Sequence, residues 1–102
     1  MDIGSTIELL RKRKNISQKS LADLAGITQS YLSQIEGNKK DPNMKTLQDI
    51  SNALEIPLPF LLLNSISIDD VPTQKQDAFK IVMPLLKSLL SGYLNDADND
   101  KV

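Results

Sequence analysis

Two short helical patterns that meet at Gly26 constrain this chain more than any other feature. From Gln18 to Gly37 it reads Q-K-S-L-A-D-L-A-G-I-T-Q-S-Y-L-S-Q-I-E-G. Leu21, Ala22, Leu24 and Ala25 give the first pattern an apolar face. Ile27 follows the glycine as an apolar plug, and Leu32 and Ile35, three apart, give the second pattern its inward face. Ala22 places a small residue where two steeply crossing helices must approach closely. Gly26 stands where the chain needs a tight turn, and a positive φ is expected there. Ser17 and Thr28 each precede a helical pattern by one residue, which is the N-cap position. The outward residues of the second pattern are Gln29, Ser30, Ser33 and Gln34, all polar and two of them amides. A glutamine amide offers a donor and an acceptor together, the pair that complements an adenine edge in the major groove of DNA.

Other helices flank this pair. Ile3, Ile7 and Leu10 recur at helical spacing with Leu9 widening the stripe, so a first helix is expected over Ile3–Arg13, opened by Gly4 or Ser5 and closed by a left-handed Asn15. Gly37 to Pro42 reads as a loop. Asn43 caps a fourth helix, Met44–Leu54, with Met44, Leu47, Ile50, Ala53 and Leu54 inward. Pro57 and Pro59 fit the first turn of a fifth, from about Leu58 to Leu63 by the tolerance of such boundaries. Residues 1–64 thus make one small helical domain. Residues 65–73 read as a linker, small and acidic and broken by Pro72. Residues 74–94 form a helical extension capped by Thr73, in which Pro84 must kink the helix or split it in two. Residues 95–102 read as a disordered acidic tail.

The absence of cysteine and histidine excludes disulfides, makes a zinc site very unfavourable and removes the common nucleophile–base pairs. No cofactor and no enzymatic activity are expected. The apolar run from Ile56 to Leu63 is too short to span a membrane and holds two prolines. No leader is visible ahead of the first helix, so a cytoplasmic protein is expected. A net charge of −1 does not advertise a nucleic-acid partner. The charge is uneven, however: Arg11-Lys12-Arg13-Lys14 and Lys39-Lys40 are basic runs, and three aspartates cluster between Asn95 and Asp100. Local patches set the field that a polyanion meets.

The run around Ala22, Gly26-Ile27 and T-Q-S-Y-L-S-Q-I-E-G resembles the helix-turn-helix of the Xre family of phage repressors and Cro proteins, in spacing as well as residue type. The resemblance covers roughly the first two thirds of the chain. It implies an all-α fold, a five-helix lambda-repressor-like DNA-binding domain with a short helical C-terminal extension. It also implies roles for particular residues. Gln29, Ser30, Ser33 and Gln34 are expected at base edges. Tyr31 either stacks on a sugar or a thymine methyl or buries its ring in the core. Gln18 is expected at a backbone phosphate, joined by Ser17 and Thr28 from their cap positions and by Asn38, Lys39 and Lys40 from the following loop. Arg11 and Glu36 match a structural ion pair that fixes the helix angle. Lys12, Arg13 and Lys14 read as a solvated face.

The family commonly binds two-fold related half-sites as dimers. The extension carries more apolar residues than one stripe needs, with Phe79, Val82, Leu86, Leu89 and Tyr93 in one seam and Ile81, Leu85 and Leu90 beside it. Homodimerisation through this seam is expected, with folding back on the first domain as the alternative. The reading is a sequence-specific, double-stranded-DNA-binding transcriptional regulator, a dimeric repressor on operator DNA. Two rivals keep the C-terminal helices for another protein: a DNA-binding antitoxin, and an interaction adaptor without DNA binding.

Overall fold

The structure, a computed structural model, describes the backbone of residues 1–99 and the side chains of residues 1–89, 91 and 92. Every regular element among them is helical: α1 Ile3–Arg13, α2 Gln18–Ala25, α3 Gln29–Glu36, α4 Met44–Leu54, α5 Leu58–Ser65 and α6 Gln76–Asn99, with two short 3₁₀ turns, Ile68–Asp70 and Thr73–Lys75, between the last two. The chain divides into two compact units, Asp2–Ser65 and the segment from Ile66 onward with Met1.

In the first unit the helices stop and start where local chemistry dictates. Ser17, Thr28 and Asn43 cap α2, α3 and α4, each side chain accepting from the backbone N–H three residues on. These bonds satisfy donors that a helix start leaves orphaned, and each cap is worth about 1 kcal/mol. Gly26 ends α2 at φ 71°, and Asn15 follows α1 at φ 56°. The α3 terminus differs from the glycine pattern. Gly37 has φ −83°, and the left-handed residue is Asn38, at φ 58°. An asparagine tolerates that region because its short amide finds local partners.

The core forms where the five helices turn their stripes together. Ile7, Leu10, Leu21, Leu32, Ile35, Ile50, Leu54 and Leu61 are essentially withdrawn from solvent. At roughly 1.5–3 kcal/mol for each such side chain, this cluster drives the packing of α1 on α3 and α5, and of α2 on α3 and α4. Ala22 is 1% exposed. Three expected core residues are outside it. Leu9 and Leu24 sit at the edges of their helical stripes and face water, and Met44, the first residue of α4, is exposed. Lys14 departs in the opposite sense. Expected on a solvated face, its Nζ is shielded from solvent and meets no acceptor among the described residues.

The first helix opens earlier than Gly4 or Ser5. Asp2 is its cap, with Oδ1 accepting from Ser5 N–H at 3.0 Å and from Asn38 Nδ2 at 2.9 Å. Asp2 N–H also donates to the Ser65 carbonyl at 3.0 Å. The Asn38 amide, followed by the Ser5 N–H, holds the Asp2 carboxyl below its ordinary range. A depressed folded-state value stabilises the fold above the unfolded value of about 3.9, and that contribution is lost as pH falls through the lower folded value. Urea unfolding against pH should therefore show Asp2→Ala less stable than the parent at neutral pH, with the difference shrinking below about pH 3.9.

The second unit begins with a turn in which Ser67 N–H donates to Asp70 Oδ2 at 2.9 Å. Thr73 does not cap the last helix. It opens the second 3₁₀ turn, and α6 starts at Gln76. Pro84 does not split α6, which is one continuous helix; with no N–H, the proline cannot donate to the Lys80 carbonyl. The helix also runs to Asn99, past Leu94 and into the segment read as a disordered tail. No proline follows Pro84, and the one later glycine, Gly92, lies within the helix. Residues 100–102 lie outside the described residues.

The expected seam on α6 is also divided. Met83 is buried with Phe79 and Leu86 half-buried on its side, whereas Ile81, Val82, Leu85 and Leu89 are exposed. Residues on successive turns of one helix fall on two arcs, and the seam crossed both. The Tyr93 and Leu90 side chains lie outside the described residues. Among those residues no helix is long and apolar enough to cross a membrane.

Candidate nucleic-acid interface

Leu32 and Ile35 hold α3 against the core, and this fixes what the helix shows outward. Gln29, Ser30 and Ser33 are exposed, while Tyr31 and Gln34 are half-buried. Tyr31 therefore takes neither extreme, a fully buried ring or a fully free one.

Beneath this face Arg11 and Glu36 form a buried pair. Arg11 Nε donates to Glu36 Oε2 at 2.8 Å and Nη2 to Oε1 at 3.1 Å, while Nη1 reaches the Ile16 carbonyl at 3.0 Å. The guanidinium fork matches the carboxylate in a two-point contact. It ties the end of α1 to the end of α3 and so sets the angle at which α3 is presented. No group of three or more His, Cys, Asp or Glu is placed to hold a metal among the described residues.

Gln18 joins this pair to the surface. Its Nε2 donates to Glu36 Oε1 at 3.1 Å, and its Oε1 accepts from Gln29 Nε2 at 3.5 Å. The side chain expected at phosphate is therefore engaged with two other residues. The Gln18 NH₂ keeps a second hydrogen for an anion at this corner, and the backbone adds further donors. Ser17 Oγ satisfies Ser20 N–H at 3.0 Å and Thr28 Oγ1 satisfies Tyr31 N–H at 3.0 Å, but the first N–H groups of α2 and α3 have no acceptor within their helices. The Gln18–Gln29 contact brings these two helix starts together, with positive partial charge at both. The hydroxyls of Ser17 and Thr28 accept in their caps and keep a proton to donate.

Asn38 also has partners within the chain. Its Oδ1 accepts from Gly4 N–H at 3.2 Å and its Nδ2 donates to Asp2, so both ends of the amide bind the start of α1. Lys39 and Lys40 have exposed side chains. Their backbone N–H groups close on the Gln34 carbonyl at 2.8 and 3.3 Å, so the loop stays at the C-terminal end of α3. A concavity of about 400 Å³ between α2 and α4 is lined by Leu24, Ala25, Asp49, Asn52, Ala53 and Glu55.

Sequence reasoning did not find the Gln18–Glu36 and Gln18–Gln29 contacts. They join residues 18 and 11 positions apart, and no local pattern encodes them. The Asp2 cap had a weak signal, an acid three residues ahead of Ser5 at a helix start.

Comparison with known proteins agrees with this geometry. The family model for helix-turn-helix domains matches residues 7–61. The immunity repressor protein of Bacillus phage phi105 is 36% identical over 56 residues, which is 55% of this chain and 39% of that protein. The HTH-type transcriptional regulator SinR of Bacillus subtilis is 39% identical over 61 residues, 59% of this chain and 55% of that protein. The chain thus spans about half or less of these curated relatives. Among solved structures, the P22 c2 repressor in complex with a synthetic operator superposes with a TM-score of 0.55 at 30% identity, covering 60% of this chain and 92% of that one.

Proposed function

Because the chain belongs to the Xre-type helix-turn-helix family, we propose that it is a sequence-specific DNA-binding transcriptional regulator, a repressor that acts by occupying operator DNA in the cytoplasm. The observation that carries this reading is the exposed polar face of α3, anchored from behind by the Arg11–Glu36 pair. The similarity to a phage immunity repressor and to an operator-bound repressor supports it. Gln29, Ser30, Ser33 and Gln34 read base edges, with Tyr31 beside them. The first turns of α2 and α3, with Ser17 and Thr28, hold backbone phosphates, and Lys39 and Lys40 add charge on the flank. No catalytic step and no cofactor enter this function.

Affinity then rests on phosphate neutralisation and should fall steeply with salt. Titrating binding against salt tests the assignment. Lys39→Ala and Lys40→Ala should each lower the slope of log K against log salt by about 1 and weaken all sequences alike. Unchanged slopes would remove both lysines from the interface.

A single domain of this size reads few base pairs, and a second copy doubles the address. The exposed α6 face supplies a surface for it. Val82, Leu85 and Leu89 follow a 3-4 spacing with Ile81 beside them, the pattern of a helix-pairing seam. We place the homodimer contact on this face, and not on Phe79 and Leu86. Sedimentation should find the full chain dimeric and the Val82→Asp, Leu89→Asp variant monomeric with its helicity intact. A dimeric variant, or a monomeric parent, would overturn this contact.

A further inference from the structure

The loop that carries Lys39 and Lys40 leaves α3 through Asn38, and Asn38 is held from outside the loop. We propose that Asp2 and Asn38 are positioning residues for DNA binding, which clamp the loop to the first turn of α1 and so aim Lys39 and Lys40 at the phosphate backbone. The proposal rests on the DNA-binding function above and assigns what directs those two lysines.

A left-handed turn at a helix end needs only a glycine, which takes it at the least steric cost. This chain does otherwise. Gly37 has φ −83° and makes no use of its freedom, while Asn38 takes φ 58°. The asparagine side chain accounts for the exchange. Asn38 Oδ1 accepts from Gly4 N–H at 3.2 Å. Gly4 is the second residue of α1, so its N–H is one of those that a helix start leaves without an internal acceptor. Asn38 Nδ2 donates at 2.9 Å to Asp2 Oδ1, the same oxygen that accepts from Ser5 N–H at 3.0 Å. Asp2 and Asn38 thus cap α1 together, and the second cap comes from beyond the far end of α3. The carboxylate acceptor makes the Asp2–Asn38 bond one of the stronger kind.

The consequence is a fixed direction. The start of α1 is itself tied down, since Asp2 N–H donates to the Ser65 carbonyl at 3.0 Å and Thr6 Oγ1 to the Asn64 carbonyl at 3.3 Å. Lys39 and Lys40 have exposed side chains, and neither enters an ion pair among the described residues. The turn at Asn38 therefore decides which way they leave α3. A glycine there would be free to turn elsewhere; the clamp forbids it. The angle of α3 itself is set separately, by the Arg11–Glu36 pair, so the clamp acts on phosphate contact and not on base reading. Asp2 then favours the binding of a polyanion, the opposite of what its charge alone would do.

The test titrates binding against salt, using the full chain and a duplex that carries the motif it selects. Asn38→Gly allows the turn but removes the clamp, and Asp2→Ala removes the acceptor. Each should weaken binding roughly three- to tenfold, as side chains that must be ordered on binding do. Each should also lower the slope of log K against log salt by about 1, toward that of the Lys39→Ala, Lys40→Ala variant. Asp2→Asn keeps an oxygen acceptor at the same place and should keep the parental slope. Added to the Lys39→Ala, Lys40→Ala variant, Asn38→Gly should change affinity by less than about twofold. The selected motif should be the same throughout. Thermal unfolding checks that each variant is folded at the assay temperature; Asn38→Gly carries the test if Asp2→Ala is not. Weaker binding by Asn38→Gly at an unchanged slope would mean a neutral contact of its own with phosphate and would overturn the aiming role. Tighter binding by Asp2→Ala would overturn it too, because charge alone would then govern. A parent with no sequence preference anywhere would overturn the DNA-binding function itself, and this is seen before any variant is made.

Discussion

Replacing Arg11 with methionine is expected to destabilise the first unit by about 3–5 kcal/mol, the cost of leaving a buried carboxylate without its cation. Glu36 has a side-chain exposure of 2%, and Arg11 one of 10%. Water cannot replace the guanidinium there. The Gln18 amide still donates one bond to Oε1, which puts the effect toward the lower end. The Ile16 carbonyl also loses its donor. For a domain of this size, each kcal/mol moves the melting temperature by roughly 4–8 °C, so a fall on the order of 12 °C or more should appear in a thermal scan. The double variant Arg11→Met, Glu36→Leu should recover most of the loss, because an apolar pair of similar volume replaces a buried ion pair at little cost. A single variant as stable as the parent would mean that the pair adds nothing to the packing of α1 on α3.

Gly4→Ala is the second large effect, through space rather than charge. A Cβ built on Gly4 would lie 2.2 Å from the Ile35 carbonyl oxygen and 2.5 Å from Asn38 Oδ1. The first is backbone at the C-terminal end of α3, so α1 and α3 would have to separate. Overpacking of this kind costs about 1–3 kcal/mol, and the backbone clash places it at the upper end. Separation would also strain the Gly4 N–H bond to Asn38 and the Asn38 bond to Asp2. The end of α3 that carries Glu36 would shift with it, so DNA affinity should fall along with stability. Urea unfolding of the variant, paired with a binding titration under folding conditions, checks both. Wild-type stability in Gly4→Ala would show that the two helices approach less closely than described.

Much of the first unit was legible because its signals are local. Caps at Ser17, Thr28 and Asn43, the left-handed Gly26 and Asn15, and the inward pairs of α3 follow from residues within a turn of each other. The motif also placed Arg11 opposite Glu36, which no period could have shown. Edges of stripes were less legible. Leu9, Leu24 and Met44 are apolar at nearly the right phase, and only the position of neighbouring helices decides that they face water. The amide residues were the least legible. Gln18 and Asn38 read as phosphate contacts, and the partners they hold within the chain include residues 18 and 36 positions away in sequence. On α6 the surplus of apolar residues was evident, but which arc is covered depends on packing.

DNA reading by α3 is tested most directly by selection of bound sequences from random duplex DNA with the full chain and with a Gln29→Ala, Gln34→Ala variant in parallel. The parent should yield a two-fold symmetric motif, lost or relaxed in the variant at the pairs those amides read. No enriched motif from the parent, or the same motif from both proteins, would contradict it.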